Sequence, residues 1–328
     1  MKESDIRNRE IHNRYLELVR ADADRFFQDR SSFTAVPCPA CGSAESSGQF
    51  EKQGFTYQEC AACETLYNSP RPPFAGLAAF YGESPSTRFW VNEFFMPMVE
   101  PRREKIFRPR AEFIGNRFPD LAQARIGDIG AGFGIFLEEL GKLWPQADIR
   151  AIEPSVDMAE IIRKKGFPVI QAMVEEVPPA DGGFDLLTSF ELFEHLHDPG
   201  AFLLKVHGLL KPEGCLFMTT LNGLGFDIQA FWERSKSISP PHHLNFFNPS
   251  SIGILMERCG FELVEASTPG ELDWDIVESA WLNEGIDPGR FFRTVARHGS
   301  AQGKKDLQAW VKGNGFSSHM RVIGRKRG

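Results

Sequence analysis

The chain has no run approaching the ~18 to 20 apolar residues that a membrane-spanning helix requires. Its opening, M-K-E-S-D-I-R-N-R-E, is too charged for a secretory signal. An excess of positive charge is also missing: the formal net charge is −7 and the pI is near 5.7. Nucleic-acid surfaces are normally basic, and no basic stretch with interleaved aromatics occurs, so an RNA or DNA footprint is not expected. Internal repeats and low-complexity tracts are lacking as well. These absences point to a cytoplasmic protein, and they leave room for a local basic patch. What remains is 328 residues, 42% hydrophobic and 25% charged, enough for one large domain with a smaller appendage.

Cysteine is scarce and unevenly spread. Cys215 and Cys259 stand alone and read as small buried hydrophobes. Cys38, Cys41, Cys60 and Cys63 instead form C-P-A-C, eighteen residues, then C-A-A-C. That is the spacing of a zinc ribbon, two knuckles presenting four thiolates to one ion, and a reducing cytosol favours metal over disulfides. Such a site has no open coordination position, so the expected role is structural. Between the knuckles, F-E-K-Q-G-F-T-Y-Q-E alternates like a short hairpin.

Around this ribbon the pattern is helical. Ile11, Tyr15, Leu16, Leu18, Val19, Phe26 and Phe27 recur at a spacing that predicts an amphipathic helix over 4–29, packed on the body or on a second copy in a homodimer. Residues 75–120 read as a helical cap, broken at Y-G-E-S-P-S-T by a candidate mobile lid over 82–87. Arg102, Arg103, Lys105, Arg108 and Arg110 read as a solvated helix face, with contact to an anionic substrate as the alternative. The expected divisions are an arm over 1–34, the ribbon over 35–73, the cap over 74–120 and a sheet domain over 121–328.

From residue 125 strand-like and helix-like segments alternate: A-R-I-G-D-I, D-I-R-A-I-E, P-V-I-Q, F-D-L-L-T-S-F, C-L-F-M-T-T, F-E-L-V-E-A and R-V-I-G-R. Alternation of this kind predicts an α/β fold, a mostly parallel sheet covered by helices on both faces. The first strand runs into I-G-D-I-G-A-G-F-G-I-F, where Gly130, Gly132 and Gly134 permit a tight turn and close approach of a ligand. Glu153 closes the next strand, 25 positions after Asp128, where a carboxylate accepts ribose hydroxyls. A dinucleotide fingerprint would place glycine at 135, where this chain has Ile135, and Asp128 suits a cationic amino group better than a pyrophosphate.

These residues resemble the class I S-adenosylmethionine-dependent methyltransferases, over a region from about residue 105 to the C-terminus that includes F-D-L-L-T-S-F-E-L-F-E-H-L-H-D-P and L-L-K-P-E-G-C-L-F-M-T-T-L-N. The resemblance implies a seven-stranded Rossmann-like sheet, with Asp128, Gly130, Ala131, Gly132 and Gly134 around the cofactor and Glu153 on its ribose. Met173 stands where the family often has an aspartate near the adenine, and Phe190, ending the fourth strand, is expected against the cofactor. A zinc ribbon ahead of such a domain resembles sugar and polysaccharide methyltransferases, and also a set of zinc-finger ribosomal RNA methyltransferases. The acidic balance favours the first group, and hence a nucleotide-linked sugar or glycan precursor as acceptor.

The stretch S-F-E-L-F-E-H-L-H-D-P follows the fourth strand and crowds five ionisable groups together. Asp198 and Pro199 fit a helix N-cap and first position, and His197 fits the surface. If the segment turns helically, Glu191, Glu194 and His195 share one face at i, i+3 and i+4. This pattern resembles metal-binding methyltransferases, including RNA 3′-end and ubiquinone-pathway enzymes, in which a distant histidine completes the site; His242 or His243 in P-P-H-H-L-N-F-F is the candidate. Three readings stay open: a histidine general base, a second divalent ion, or a structural role.

Overall fold

The computed structural model describes residues 8–328. Its eleven strands are β1 Ser46–Lys52, β2 Phe55–Cys60, β3 Leu66–Asn68, β4 Arg125–Ile129, β5 Asp148–Ile152, β6 Val169–Ile170, β7 Phe184–Phe190, β8 Leu210–Leu221, β9 Asn245–Phe246, β10 Phe261–Ser267 and β11 His319–Lys326. They form a four-stranded sheet, β1-β2-β3-β9, and a seven-stranded sheet, β10-β11-β8-β7-β4-β5-β6. The chain divides into two compact units: residues 1–98, 221–252 and 267–320 make one, and 99–220, 253–266 and 321–328 the other. These units cut across the linear divisions that the sequence offers.

In the first unit, α1 (Arg9–Phe26) is capped by Asn8, whose side chain accepts from the Ile11 N–H. Ala23 and the following Phe27 join Phe55, Tyr57, Leu77, Phe80, Leu244 and Phe246 in one core. The C-terminal part of the predicted apolar face is therefore packed on the same chain, as one of the two expectations had it, while Ile11, Leu16 and Leu18 are half-buried. Between β1 and β2, Gln53 and Gly54 have φ of 52° and 77°, a two-residue left-handed turn whose twist matches the flanking strands. The lid expected over 82–87 is helical instead. α2 (Phe74–Glu83) runs to Ser84, whose side chain accepts from the Thr87 N–H, and Pro85 opens α3 (Pro85–Phe89). Ser-Pro, read as a loop signal, acts here as N-cap and first helical residue.

The second unit holds the seven-stranded sheet, with β4–β5, β4–β7, β5–β6 and β7–β8 all parallel. Ile126, Leu186 and Phe217 from its strands pack with Ile114 of α4 (Arg108–Arg117), Phe136, Leu137 and Leu140 of α5 (Ile135–Leu143) and Ile162 of α6 (Val156–Lys164). In mid-strand, a Cβ on Gly127 would lie 2.6 Å from Leu187 Cδ2, so only hydrogen fits there. The basic run 102–110 is not a solvated face. Arg103 donates to Glu138 and Glu139, Arg108 to Glu104 and Glu139, and the Arg110 side chain is only 10% exposed. Glu138 and Glu139 sit on α5, out of reach of any reading along one helix.

Between β10 and β11 the chain leaves this sheet and folds with the first unit as α8 (Asp273–Glu284), α9 (Arg290–His298) and α10 (Ala301–Gly313), α7 being Pro199–Leu209. Trp274, Val277, Ala280 and Val311 pack there with Phe226 and Phe231. Among the described residues no helix is long and apolar enough to cross a membrane.

Candidate active site

The loop after β4 is left-handed at Gly130, Gly132 and Gly134, with φ of 72°, 54° and 70°. At Gly132 this conformation would strain any side chain, yet a Cβ there would meet nothing within 4 Å. Space is open above the turn. Glu153, just beyond β5 and only 5% exposed, accepts from the Gly132 N–H at 2.9 Å through Oε2 and from the Ser155 N–H at 2.9 Å through Oε1. A carboxylate has about four acceptor directions, so one on each oxygen remains, enough for the two hydroxyls of a ribose. Burial pushes the Glu153 pKa up, and the two backbone N–H bonds pull it back.

Asp128 lies near the end of β4, buried, and takes a 2.7 Å hydrogen bond from Thr188 Oγ1 on β7. Burial raises its pKa to about 7, against the pull of Thr188 and Arg110. Arg110 stacks over Phe190 with its guanidinium carbon 4.1 Å from the ring centre, and donates to Glu191 and Thr219 at 3.4 Å each. Phe190 in turn meets Phe136 edge-on at 4.6 Å. Met173, at the start of a 3-10 turn, is 37% exposed. A ligand bearing an ammonium group beside Asp128 favours its ionised form, so S-adenosylmethionine affinity should rise as pH climbs through about 7. Calorimetry between about pH 6 and about pH 8 checks this; Asp128→Asn should flatten the dependence.

The segment after β7 does not continue as an α-helix. Glu191 is left-handed with φ of 51°, and Phe193–His195 makes a single 3-10 turn. Glu191 accepts from Thr219 Oγ1 at 2.7 Å and pairs with Arg110, while Glu194 is buried and accepts from Thr220 Oγ1 at 2.8 Å. Burial, reinforced by the charge of Glu191, drives the Glu194 pKa up. His195 closes the turn half-buried, its N–H bonded to the Leu192 carbonyl. Asp198 does cap α7, accepting from the Ala201 N–H with Pro199 at the first position.

His242 and His243 belong to the first unit and differ from one another. His242 is buried among Tyr15, Phe80 and Tyr81, with Nε2 3.1 Å from Tyr15 Oη, and burial drops its pKa to about 3. A base that weak accepts a proton poorly near neutral pH. His243 places Nδ1 2.6 Å from the Ser237 carbonyl; the carbonyl only accepts, so Nδ1 carries a proton.

The four cysteine sulfurs gather at the ends of the β1–β2 hairpin. Cys38–Cys63 and Cys41–Cys60 are 3.5 Å apart and Cys41–Cys63 3.6 Å, and all four lie within 4.8 Å of one another. Four thiolates about 2.3 Å from a central ion stand near this separation, so the cluster is compatible with a zinc ribbon. Gly42, with φ of 80°, turns the first knuckle, and Glu64, with φ of 57°, the second.

Reading along the chain named Arg110 only within a basic run, and it missed the hydroxyls of Thr188, Thr219 and Thr220. The signal for the threonines was present: polar residues ending otherwise apolar strands in L-L-T-S-F and F-M-T-T-L.

A seven-stranded α/β sheet with a glycine turn and a following acidic residue defines a Rossmann-like methyltransferase fold. Residues 98–266, just over half of the chain, match the methyltransferase domain family, and the chain belongs to it. It is 28% identical over 171 residues to the ubiquinone biosynthesis O-methyltransferase of Xanthomonas euvesicatoria pv. vesicatoria (strain 85-10), covering 48% of this chain and 70% of that one. Against the malonyl-[acyl-carrier protein] O-methyltransferase of Legionella pneumophila subsp. pneumophila it is 31% identical over 133 residues, covering 39% and 46%. Among solved structures, a chain from the complex of the Haloferax volcanii Trm112 methyltransferase activator with a methyltransferase superposes with a TM-score of 0.51. That match covers 73% of this chain and 96% of the other at 14% identity, a likeness of fold alone. S-adenosylmethionine is the methyl donor that family and fold imply.

Proposed function

We propose that this chain methylates an oxygen of a nucleotide-linked sugar or related glycan precursor, and that its cysteine cluster holds a structural zinc ion. The observation that carries the cofactor assignment is the pairing of open space over Gly132 with a Glu153 carboxylate that keeps acceptor capacity for a ribose. When bound, S-adenosylmethionine supplies a methyl group on a sulfonium, an electrophile that needs an aligned nucleophile. Asp128 suits the ammonium of its amino-acid end, and the largely covered cation Arg110 suits the carboxylate. His195 is the candidate to take the proton that the acceptor hydroxyl loses.

Both relatives above are named as O-methyltransferases, which supports an oxygen acceptor. The joining of a four-cysteine ribbon to this domain supports the sugar reading. A transfer assay with labelled S-adenosylmethionine against nucleotide-linked sugars tests it. Transfer to phenols or to carrier-bound carboxylates, with none to sugars, would sink it.

The purified protein should contain one zinc per chain. Cys60→Ser should lose that zinc and lower the melting temperature of the first unit, since a metal bound only by the folded state stabilises that state. Elemental analysis without zinc, or an unchanged melting temperature, would reject the assignment.

A further inference from the structure

Helix α9 lies outside the matched residues 98–266 and carries the charge sign that the chain as a whole lacks. Arg290, Arg293 and Arg297 stand at i, i+3 and i+7, and with Thr294 and His298 they line a shallow surface groove formed by this helix alone, with no opposing wall. A period of 3.6 residues places these five on one arc, which holds no carboxylate. The opposite side of the helix, Phe292, Val295 and Ala296, packs into the core of Trp274, Val277 and Val311, so the arc is fixed facing outward.

Two of the guanidinium groups are oriented before any ligand arrives. Arg293 Nη1 lies 2.6 Å from Asp287 Oδ2, and Arg297 sits 5.2 Å from the Trp281 ring centre. Asp287 is the acid paired with the groove residues among those described, and Arg290 has no carboxylate partner there, so the groove stays cationic. From Arg290 to Arg297 the helix rises about 10 Å, a separation that long arginine side chains can close over a smaller anion. A protein partner would typically need on the order of 800 Å² per side, more than this short helix face offers. Arginine forks match phosphate oxygens in pairs, which lysine does not do.

We propose that the arginine arc of α9 is a binding site for the diphosphate group of a phosphorylated small ligand. It deepens the reading of a nucleotide-linked acceptor, because such an acceptor carries that group, but the site stands without it.

The test is calorimetry on the full chain at low salt, with inorganic pyrophosphate and uridine diphosphate titrated separately. Wild type should bind with one-to-one saturation. Arg290→Ala/Arg297→Ala, both exposed positions, should weaken binding at least about tenfold with melting temperature and S-adenosylhomocysteine affinity unchanged. Equal affinities for the two probes would mean that the groove reads the diphosphate alone, and tighter uridine diphosphate that it also reads the nucleoside. No binding by wild type, equal binding by the variant, or uptake that never saturates would each overturn the proposal. Pyrophosphate binding without methyl transfer to any nucleotide-linked sugar would sink only the acceptor reading.

Discussion

Replacing His195 by alanine should lower turnover roughly 10²- to 10⁴-fold and leave S-adenosylmethionine affinity nearly unchanged, the signature of a lost general base. The imidazole ends a single 3-10 turn directly beyond β7, at the carboxyl ends of parallel strands where ligands of such sheets bind. The neighbouring acids are engaged differently. The base reading needs no ion, since both acids are engaged by protein groups: Glu191 is tied to Arg110 and Thr219, and the buried Glu194 accepts from Thr220. Chelators should therefore leave turnover unaffected once the ribbon zinc is secure. If the cluster holds a metal instead, Glu191→Ala and Glu194→Ala should be as damaging as His195→Ala. Mg²⁺, Mn²⁺ or Co²⁺ should then restore chelated enzyme. Near-normal turnover in all three variants would leave the segment only a structural part.

Glu153→Ala should weaken cofactor binding by roughly 1 to 3 kcal/mol, because buried ribose hydroxyls would lose a charged acceptor. The same change strips two backbone N–H groups, those of Gly132 and Ser155, of their partner, so the alanine variant should also melt earlier. Glu153→Gln separates the effects. It keeps the shape and one acceptor oxygen but replaces the other by an N–H donor, so affinity should fall with a smaller loss of melting temperature. Unchanged affinity in both variants would mean that the ribose lies elsewhere.

Much of the fold was legible because the deciding signals were local. Asp198-Pro199 sets its geometry through a bond only three positions away, and the hairpin between the cysteine knuckles closes on a two-residue turn. The glycine turn and Glu153 were legible for a similar reason, since a parallel register brings the ends of successive strands together. Which of the basic residues would turn to the sheet was not, because the surroundings of Arg110 come from the ends of β7 and β8, some 80 to 110 positions onward. Arg103 and Arg108 are satisfied by Glu138 and Glu139 on α5, and nothing near 102–110 announces those partners. Ser84-Pro85 misled because one dipeptide serves both turns and helix starts. The excursion between β10 and β11 was hidden in a different way: its helices look like any others, and their apolar faces do not reveal which core they join.

That excursion has a consequence for how the molecule can be cut and rebuilt. The chain passes from one unit to the other five times, at 98, 220, 252, 266 and 320, so neither unit is a continuous piece of the gene. Removing residues 1–98 would strand Ile228, Ile238, Leu244 and Phe246 without Phe27, Phe55 and Phe80, the rings they are buried against. A ribbon built this way cannot be exchanged as a cassette or trimmed to liberate a minimal enzyme. Fragment expression should yield insoluble protein on either side of every boundary, and transplanting the ribbon would require moving three separated stretches of coding sequence together.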